Sequence, residues 1–245
     1  MIRPTARQKL TKHDFEFICA TLSKSSQADQ SIRSLLTSPE ERDAILDDPD
    51  LFEKMLAAPN LSKISPIFYF YVLVRRALQR YGLDDRDVAD YIASMLAEFS
   101  KPNRAEMISD YHQKQYKYLV DLIKDLMDAH SEEVFLIQSH LGNYSMFLVG
   151  IFPDYVYHKT KYGRMAPDFS YYEQMGSTGY KNAAGHRVAR KWDLTRILEI
   201  LAAEFRLIRY ALNYMVDSYM TMDRNPNATD RALRRVDGFI SQKRN

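Results

Sequence analysis

Cysteine is almost absent from this sequence of 245 residues, since Cys19 is the only one. A single cysteine cannot form a disulfide within the chain, and it cannot build a thiolate metal cluster. We therefore expect a protein of the reducing cytoplasm, in which Cys19 is a small buried residue on a helix.

Long hydrophobic runs are also missing. The longest uninterrupted apolar run, residues 67–74, is far shorter than the roughly 20 residues that span a bilayer. The first fifteen residues, MIRPTARQKLTKHDF, contain no apolar stretch of the kind found in secretory signals. Both features predict a soluble protein that does not contact the membrane.

Neither sign of charge is in large excess, because 34 basic residues face 32 acidic ones. This balance excludes a strong overall field for nucleic acid or anionic lipid. The charges are unevenly distributed, however. Residues 38–54 carry seven acids against two bases, and residues 155–191 carry seven bases against two acids. Most of the acids stand at predicted helix starts, where they match the helix dipole.

Apolar residues recur at helical spacing along most of the chain, and no run of period two lies between turn signals. The clearest pattern predicts a helix from Pro66 to Tyr81, with Ser65 as its N-cap and Gly82 as its stop. A second helix is predicted over residues 85–99, capped by Asp84. We expect an all-α, single-domain bundle of about nine to eleven helices over residues 1–245, with flexible ends at 1–10 and 239–245.

Glycine is scarce in the first 141 residues, where Gly82 stands alone, and six glycines then fall between Gly142 and Gly185. The segment around Gly142 is apolar on nearly all sides, which predicts a buried central helix near residues 134–152. Each glycine within that helix costs about 1 kcal/mol relative to alanine, so we expect a neighbouring helix to approach closely there.

The expected neighbour is a helix over residues 169–186, because Met175, Gly176, Gly179 and Ala183 share one narrow face of its helical wheel. Two such small-residue faces can lock together, or they can leave a slot for a small molecule. The polar groups between them can likewise be a hydrogen-bond network or the lining of a pocket. The candidate pocket residues are His140, Asn143, Tyr144, Tyr172, Glu173, Gly176, Gly179 and His186.

Motifs that would carry chemistry are few. The sequence has no HExxH or Glu-x-x-His pair, no GxSxG elbow and no GxxxxGK[ST] loop. His140, His186 and Glu173 are the conceivable metal ligands, but their spacing matches no known pattern, and we assign no metal. No catalytic residue or cofactor is assigned, and the sequence leaves open whether the protein is an enzyme.

Three functions are compatible with these features. The first is a non-enzymatic helical binding or scaffold protein that acts through the tyrosine-, glycine- and base-rich region 155–192, with a protein partner or a second copy of itself. The second is an enzyme or small-ligand carrier with the internal pocket described above. The third is single-stranded nucleic-acid binding. Its phosphate contacts would come from Lys159, Lys161, Arg164, Arg187, Arg190 and Lys191.

Overall fold

The structure is a computed structural model that describes residues 1–109, 114–116, 118–163 and 166–220. These residues form thirteen α-helices and no β-strand, which confirms the all-α prediction. The expected nine to eleven helices were too few, because helices as short as Arg187–Lys191 carry little apolar periodicity. Arg164 and the end segment 239–245 lie outside the described residues.

The chain divides into two compact units, unit 1 over residues 1–115 and unit 2 over residues 116–245. The single domain that the sequence predicts is therefore not established. Unit 1 contains α1 (Lys12–Leu22), α2 (Ser26–Leu35), α3 (Pro39–Leu46), α4 (Pro49–Ala57), α5 (Pro66–Arg80) and α6 (Arg86–Phe99), followed by one 3₁₀ turn at Arg104–Glu106. Unit 2 contains α7 (Leu119–Asp128), α8 (Ser131–Ile151), α9 (Pro153–Tyr162), α10 (Phe169–Ala184), α11 (Arg187–Lys191), α12 (Thr195–Ala203) and α13 (Phe205–Ser218).

The core of unit 1 forms where α5 packs against α6 and α4. Ser65 caps α5 as predicted, since its hydroxyl accepts the backbone N–H of Phe68, and Gly82 ends the helix with a φ of +83°. The cap of α6 is Asp85 rather than Asp84. Asp84 instead forms an ion pair with the buried guanidinium of Arg75.

Residues near the start of unit 1 hydrogen-bond to acidic side chains of α3 and α6. Ala6 is fully buried, and its N–H donates to Asp90 Oδ1 at 2.6 Å. The guanidinium of the next residue, Arg7, forms ion pairs with Asp43, Asp87 and Asp90. The sequence pattern of residues 1–10 does not show where these carboxylates lie.

The acids of segment 38–54 have two roles: some cap helix starts, and others form ion pairs with arginines. Asp48 caps α4, and its carboxylate accepts the N–H of Asp50 at 2.8 Å. Asp47, in contrast, accepts two hydrogen bonds from Arg75, at 2.8 and 2.9 Å, and one from Arg86. Burial raises the pKa of Asp47, but the hydrogen bonds and charges of the two arginines outweigh burial, so its pKa lies below the ordinary value.

The centre of unit 2 is α8, which contacts α7, α9, α10, α11 and α13. Fourteen of its 21 residues are buried, including Phe135, His140 and Leu141 on different sides of the helix. This confirms the prediction of a central helix near residues 134–152. The expected neighbour over residues 169–186 is also helical, as α10, and it makes the most extensive contact with α8.

Candidate functional site

Helices α8 and α10 touch backbone to backbone at their glycines. A Cβ atom at Gly179 would lie 2.7 Å from the carbonyl oxygen of Gln138 and 3.0 Å from the nitrogen of Gly142. A Cβ atom at Gly142 would lie 2.5 Å from the ring of Tyr180. Because these distances exclude any side chain, glycine is required on both helices for this approach.

Polar groups at this contact bond to one another. The hydroxyl of the fully buried Tyr180 donates to Asn143 Oδ1 at 2.9 Å, and the rings of His140 and Tyr144 lie parallel with centroids 6.0 Å apart. The ring of Tyr180 fills the space beside Gly142. The geometry therefore favours packing over a ligand slot at this point.

The remaining candidate residues have partners of other kinds. Both carboxylate oxygens of Glu173 accept hydrogen bonds from α13, from Arg209 at 2.6 Å and from Arg206 at 2.9 Å. His186 caps α11, where its Nδ1 accepts the N–H of Val188. Tyr172 is half-buried near the start of α10, and burial raises the pKa of its hydroxyl.

Three residues in the contacts among α8, α10 and α13 were missed by sequence reasoning: Tyr180, Arg209 and Asn213. Asn213 Nδ2 donates to the carbonyl oxygens of Val149 and Gly150, at 2.7 and 2.9 Å, near the end of α8. The available signal was a polar pair at i and i+4, Arg209 and Asn213, inside an apolar helix. Such a pair can also face solvent, so spacing alone does not reveal the contact.

Two further observations bear on α8 and on metal binding. By length and composition α8 could cross a bilayer, but 78% of its most apolar window is buried by the rest of the protein, as in a core helix.

Among the residues that the structure describes, no group of three or more His, Cys, Asp or Glu side chains is placed to hold a metal ion.

The exposed face of α9 forms a second candidate site. Tyr155, His158, Lys159 and Tyr162 stand at positions i, i+3, i+4 and i+7 and share one side of the helix. All four are exposed, with Tyr155 54% and Tyr162 62% accessible. We call these four residues the tyrosine–lysine surface.

The side chains of the tyrosine–lysine surface contact one another. Lys159 Nζ donates to Tyr155 Oη at 3.0 Å and lies 5.2 Å from the centre of the tyrosine ring. The hydrogen bond with Tyr155 raises the pKa of Lys159, so its ammonium stays charged. The rings of His158 and Tyr162 have centroids 4.7 Å apart. The result is an aromatic surface that carries the positive charge of Lys159.

The predicted basic residues that the structure describes, Lys159, Lys161, Arg187, Arg190 and Lys191, are all exposed. Lys161 lies against the rings of Tyr157 and Tyr162, and Lys191 lies against Trp192, which is 42% exposed. Basic side chains over aromatic rings therefore recur in region 155–192.

Comparison with known proteins adds no functional assignment, because no family model, no curated protein and no solved structure matches the chain.

Proposed function

We propose that this chain is a non-enzymatic binding protein whose tyrosine–lysine surface contacts an acidic patch on a protein partner. The observation that carries the proposal is the exposed stripe of Tyr155, Lys159 and Tyr162 along one side of α9. Helices that bury their apolar face in a partner use residues at this i, i+4 and i+7 spacing.

The chemistry of the stripe suits a protein interface. Tyrosine buries a large area with little loss of side-chain freedom, and it keeps a hydroxyl for hydrogen bonding. Lys159 lies over the ring of Tyr155, and a lysine that keeps this contact when a partner binds loses less side-chain freedom in binding. The charge of Lys159 and Lys161 favours carboxylates on the partner and speeds association.

Photo-cross-linking in the native host cell tests the proposal. A photoreactive phenylalanine replaces Tyr155 in one variant and the exposed Met127 of α7 in a control variant. We expect one predominant protein adduct from position 155 and none of that adduct from position 127. The adduct should disappear when Tyr162→Ser and Lys159→Gln are added, and a second copy of the chain would appear as a homodimer adduct.

Identical adducts from the two positions, or no protein adduct from position 155, would contradict the proposal. Single-stranded nucleic acid is the other occupant that tyrosines and lysines suit. Salt-dependent binding of a labelled oligonucleotide that Tyr162→Ser weakens, without any protein adduct, would favour it instead. The small-ligand alternative is less well supported, because Tyr180 fills the space beside Gly142.

A further inference from the structure

A cleft in unit 1 lies between the first residues of the chain, the start of α5 and the end of α6, and it has a volume of about 390 Å³. This volume falls within the roughly 300–1,000 Å³ of small-molecule pockets. The residues that line it and carry the argument are Arg3, Lys9, Ile67, Glu98, Lys101 and Arg104.

Among the described residues that line the cleft, four carry basic side chains and one, Glu98, carries a carboxylate. Lys101 Nζ donates to one oxygen of Glu98 at 2.6 Å, and Arg104 Nε donates to the other at 2.8 Å. Burial alone would raise the pKa of Glu98. The hydrogen bonds and charges of Lys101 and Arg104 lower it by more, so the pKa lies below the ordinary value. Glu98 is therefore ionised at neutral pH, and it pairs with both Lys101 and Arg104.

The basic side chains are fixed to different degrees. Arg104 is only 6% exposed, and its guanidinium also donates to the carbonyl oxygen of Met107, so it forms a rigid wall. The segment around Thr5, which forms another wall of the cleft, is joined to α6 by a hydrogen bond from the N–H of Thr5 to Ser94 Oγ at 3.1 Å. Lys9 is exposed and makes no ion pair with any residue that the structure describes. Among the described lining residues, basic side chains therefore outnumber carboxylates, and Arg104 is the one held most firmly.

We propose that this cleft binds a small organic anion. The phosphate or carboxylate group would lie between Lys9, Lys101 and Arg104, because basic side chains in a partly enclosed cleft focus a positive potential. The apolar body of the ligand would lie against Ile67 and Ala97, which form part of the same lining. This site goes beyond the proposed function, since it lies in unit 1 and the tyrosine–lysine surface lies in unit 2.

Calorimetric titration of the full chain at constant ionic strength tests this proposal with three probes. The probe n-hexyl phosphate supplies charge and an apolar chain, inorganic phosphate supplies charge alone, and n-hexanol supplies the apolar chain alone. We expect n-hexyl phosphate to bind more tightly than phosphate, and n-hexanol to give no binding. The double variant Lys9→Gln/Lys101→Gln should weaken n-hexyl phosphate binding at least tenfold, whereas Lys24→Gln, an exposed lysine outside the cleft, should change nothing.

The proposal is overturned if n-hexyl phosphate does not bind, if n-hexanol binds equally well, or if the double variant binds like Lys24→Gln. Both substituted lysines are largely exposed, so their replacement should leave the fold intact. The single variant Arg3→Gln gives an independent reading in case the double variant is unstable. Arg3→Gln should also weaken the binding of n-hexyl phosphate, but by less than the tenfold expected for the double variant.

Discussion

At Gly142 the absence of a side chain determines how far Tyr180 enters the space between α8 and α10. The ring occupies the volume where a Cβ would otherwise stand, and the hydroxyl then reaches Asn143. Packing and hydrogen bonding at this contact therefore depend on the same glycine. Gly185, at the end of α10, has no such role, because a Cβ there would come no closer than 3.7 Å to its nearest neighbour.

Replacing Gly142 by leucine should destabilise the protein strongly. Overpacking a well-filled core typically costs about 1–3 kcal/mol, and here Tyr180 must also leave its position. Urea unfolding should show a lower midpoint for Gly142→Leu and an unchanged or slightly higher midpoint for the control Gly185→Ala. Equal midpoints for the two variants would mean that the close approach of α8 and α10 contributes nothing to stability.

Among the helices, α5 shows how a cap can also act as a tertiary contact. Ser65 Oγ accepts the N–H of Phe68, and the same hydroxyl donates to Asp14 Oδ2 at 2.7 Å. The N–H of Ser65 donates to the other oxygen of Asp14, which is fully buried in α1. Ser25 caps α2 through its hydroxyl alone, at an exposed position.

The two caps should therefore differ in their contribution to stability. Ser25→Ala should cost about 1 kcal/mol, the usual cost of losing a serine cap. Ser65→Ala should cost about 2–4 kcal/mol, because a hydrogen bond to the buried carboxylate of Asp14 is lost as well. Free energies of unfolding from urea titrations measure both, and equal costs would show that Asp14 does not couple α5 to α1.

Local sequence signals predicted the helices that have strong caps and apolar stripes. The α5 boundaries followed from Ser65, Pro66 and Gly82, all of which act within a few residues of their position. Elements that depend on distant partners were not predictable in this way. The anchoring of Arg7 on Asp90 joins residues 83 positions apart, and no pattern near either residue signals it.

At the scale of the whole molecule, the charged groups of unit 1 and the aromatic surface of unit 2 belong to separate compact units. Asp47 in unit 1 joins Arg75 and Arg86, whereas the only tryptophan, Trp192, lies in unit 2. Tryptophan fluorescence therefore reports on unit 2, and circular dichroism reports on the helices of both units.

Replacing Asp47 by asparagine should destabilise unit 1 by about 3 kcal/mol at neutral pH, because the buried Arg75 loses a partner. The lowered pKa of Asp47 means that its stabilising contribution is present above the ordinary value of 3.8 and is lost as the pH falls through the lower, folded-state pKa. The free-energy difference between wild type and variant should therefore shrink below pH 3.8, as urea unfolding by circular dichroism would show.

Trp192 provides the internal control for this experiment. Each unit has its own core. Asp47→Asn should therefore lower the midpoint of the part of the circular dichroism change that comes from unit 1, and it should leave the midpoint of the fluorescence change, which comes from unit 2, in place. A matched variant, Glu41→Gln, removes an exposed acid of α3 and should shift neither transition. Coincident shifts in both signals would mean that the chain unfolds as one cooperative body.

The candidate sites were predictable only in part. The glycine spacing predicted that α8 and α10 meet, but it did not predict that Tyr180 fills the gap, because the direction of a side chain depends on the rotation of its helix. Region 155–192 was identified from composition, whereas the contact between the Lys159 ammonium and the Tyr155 ring on α9 required coordinates. The cleft of unit 1 was missed altogether, since its lining residues are scattered from residue 1 to residue 104.

The position of α8 in the chain has a consequence for biosynthesis. This helix is apolar on nearly all sides, yet α13, which covers part of it, begins at Phe205, about 54 residues after α8 ends at Ile151. At a translation rate of about 5–20 residues per second, the nascent chain carries α8 incompletely covered for roughly three to eleven seconds. During that interval the residues of α8 that α13 later covers remain exposed to solvent, and transiently exposed apolar surface of this kind favours aggregation.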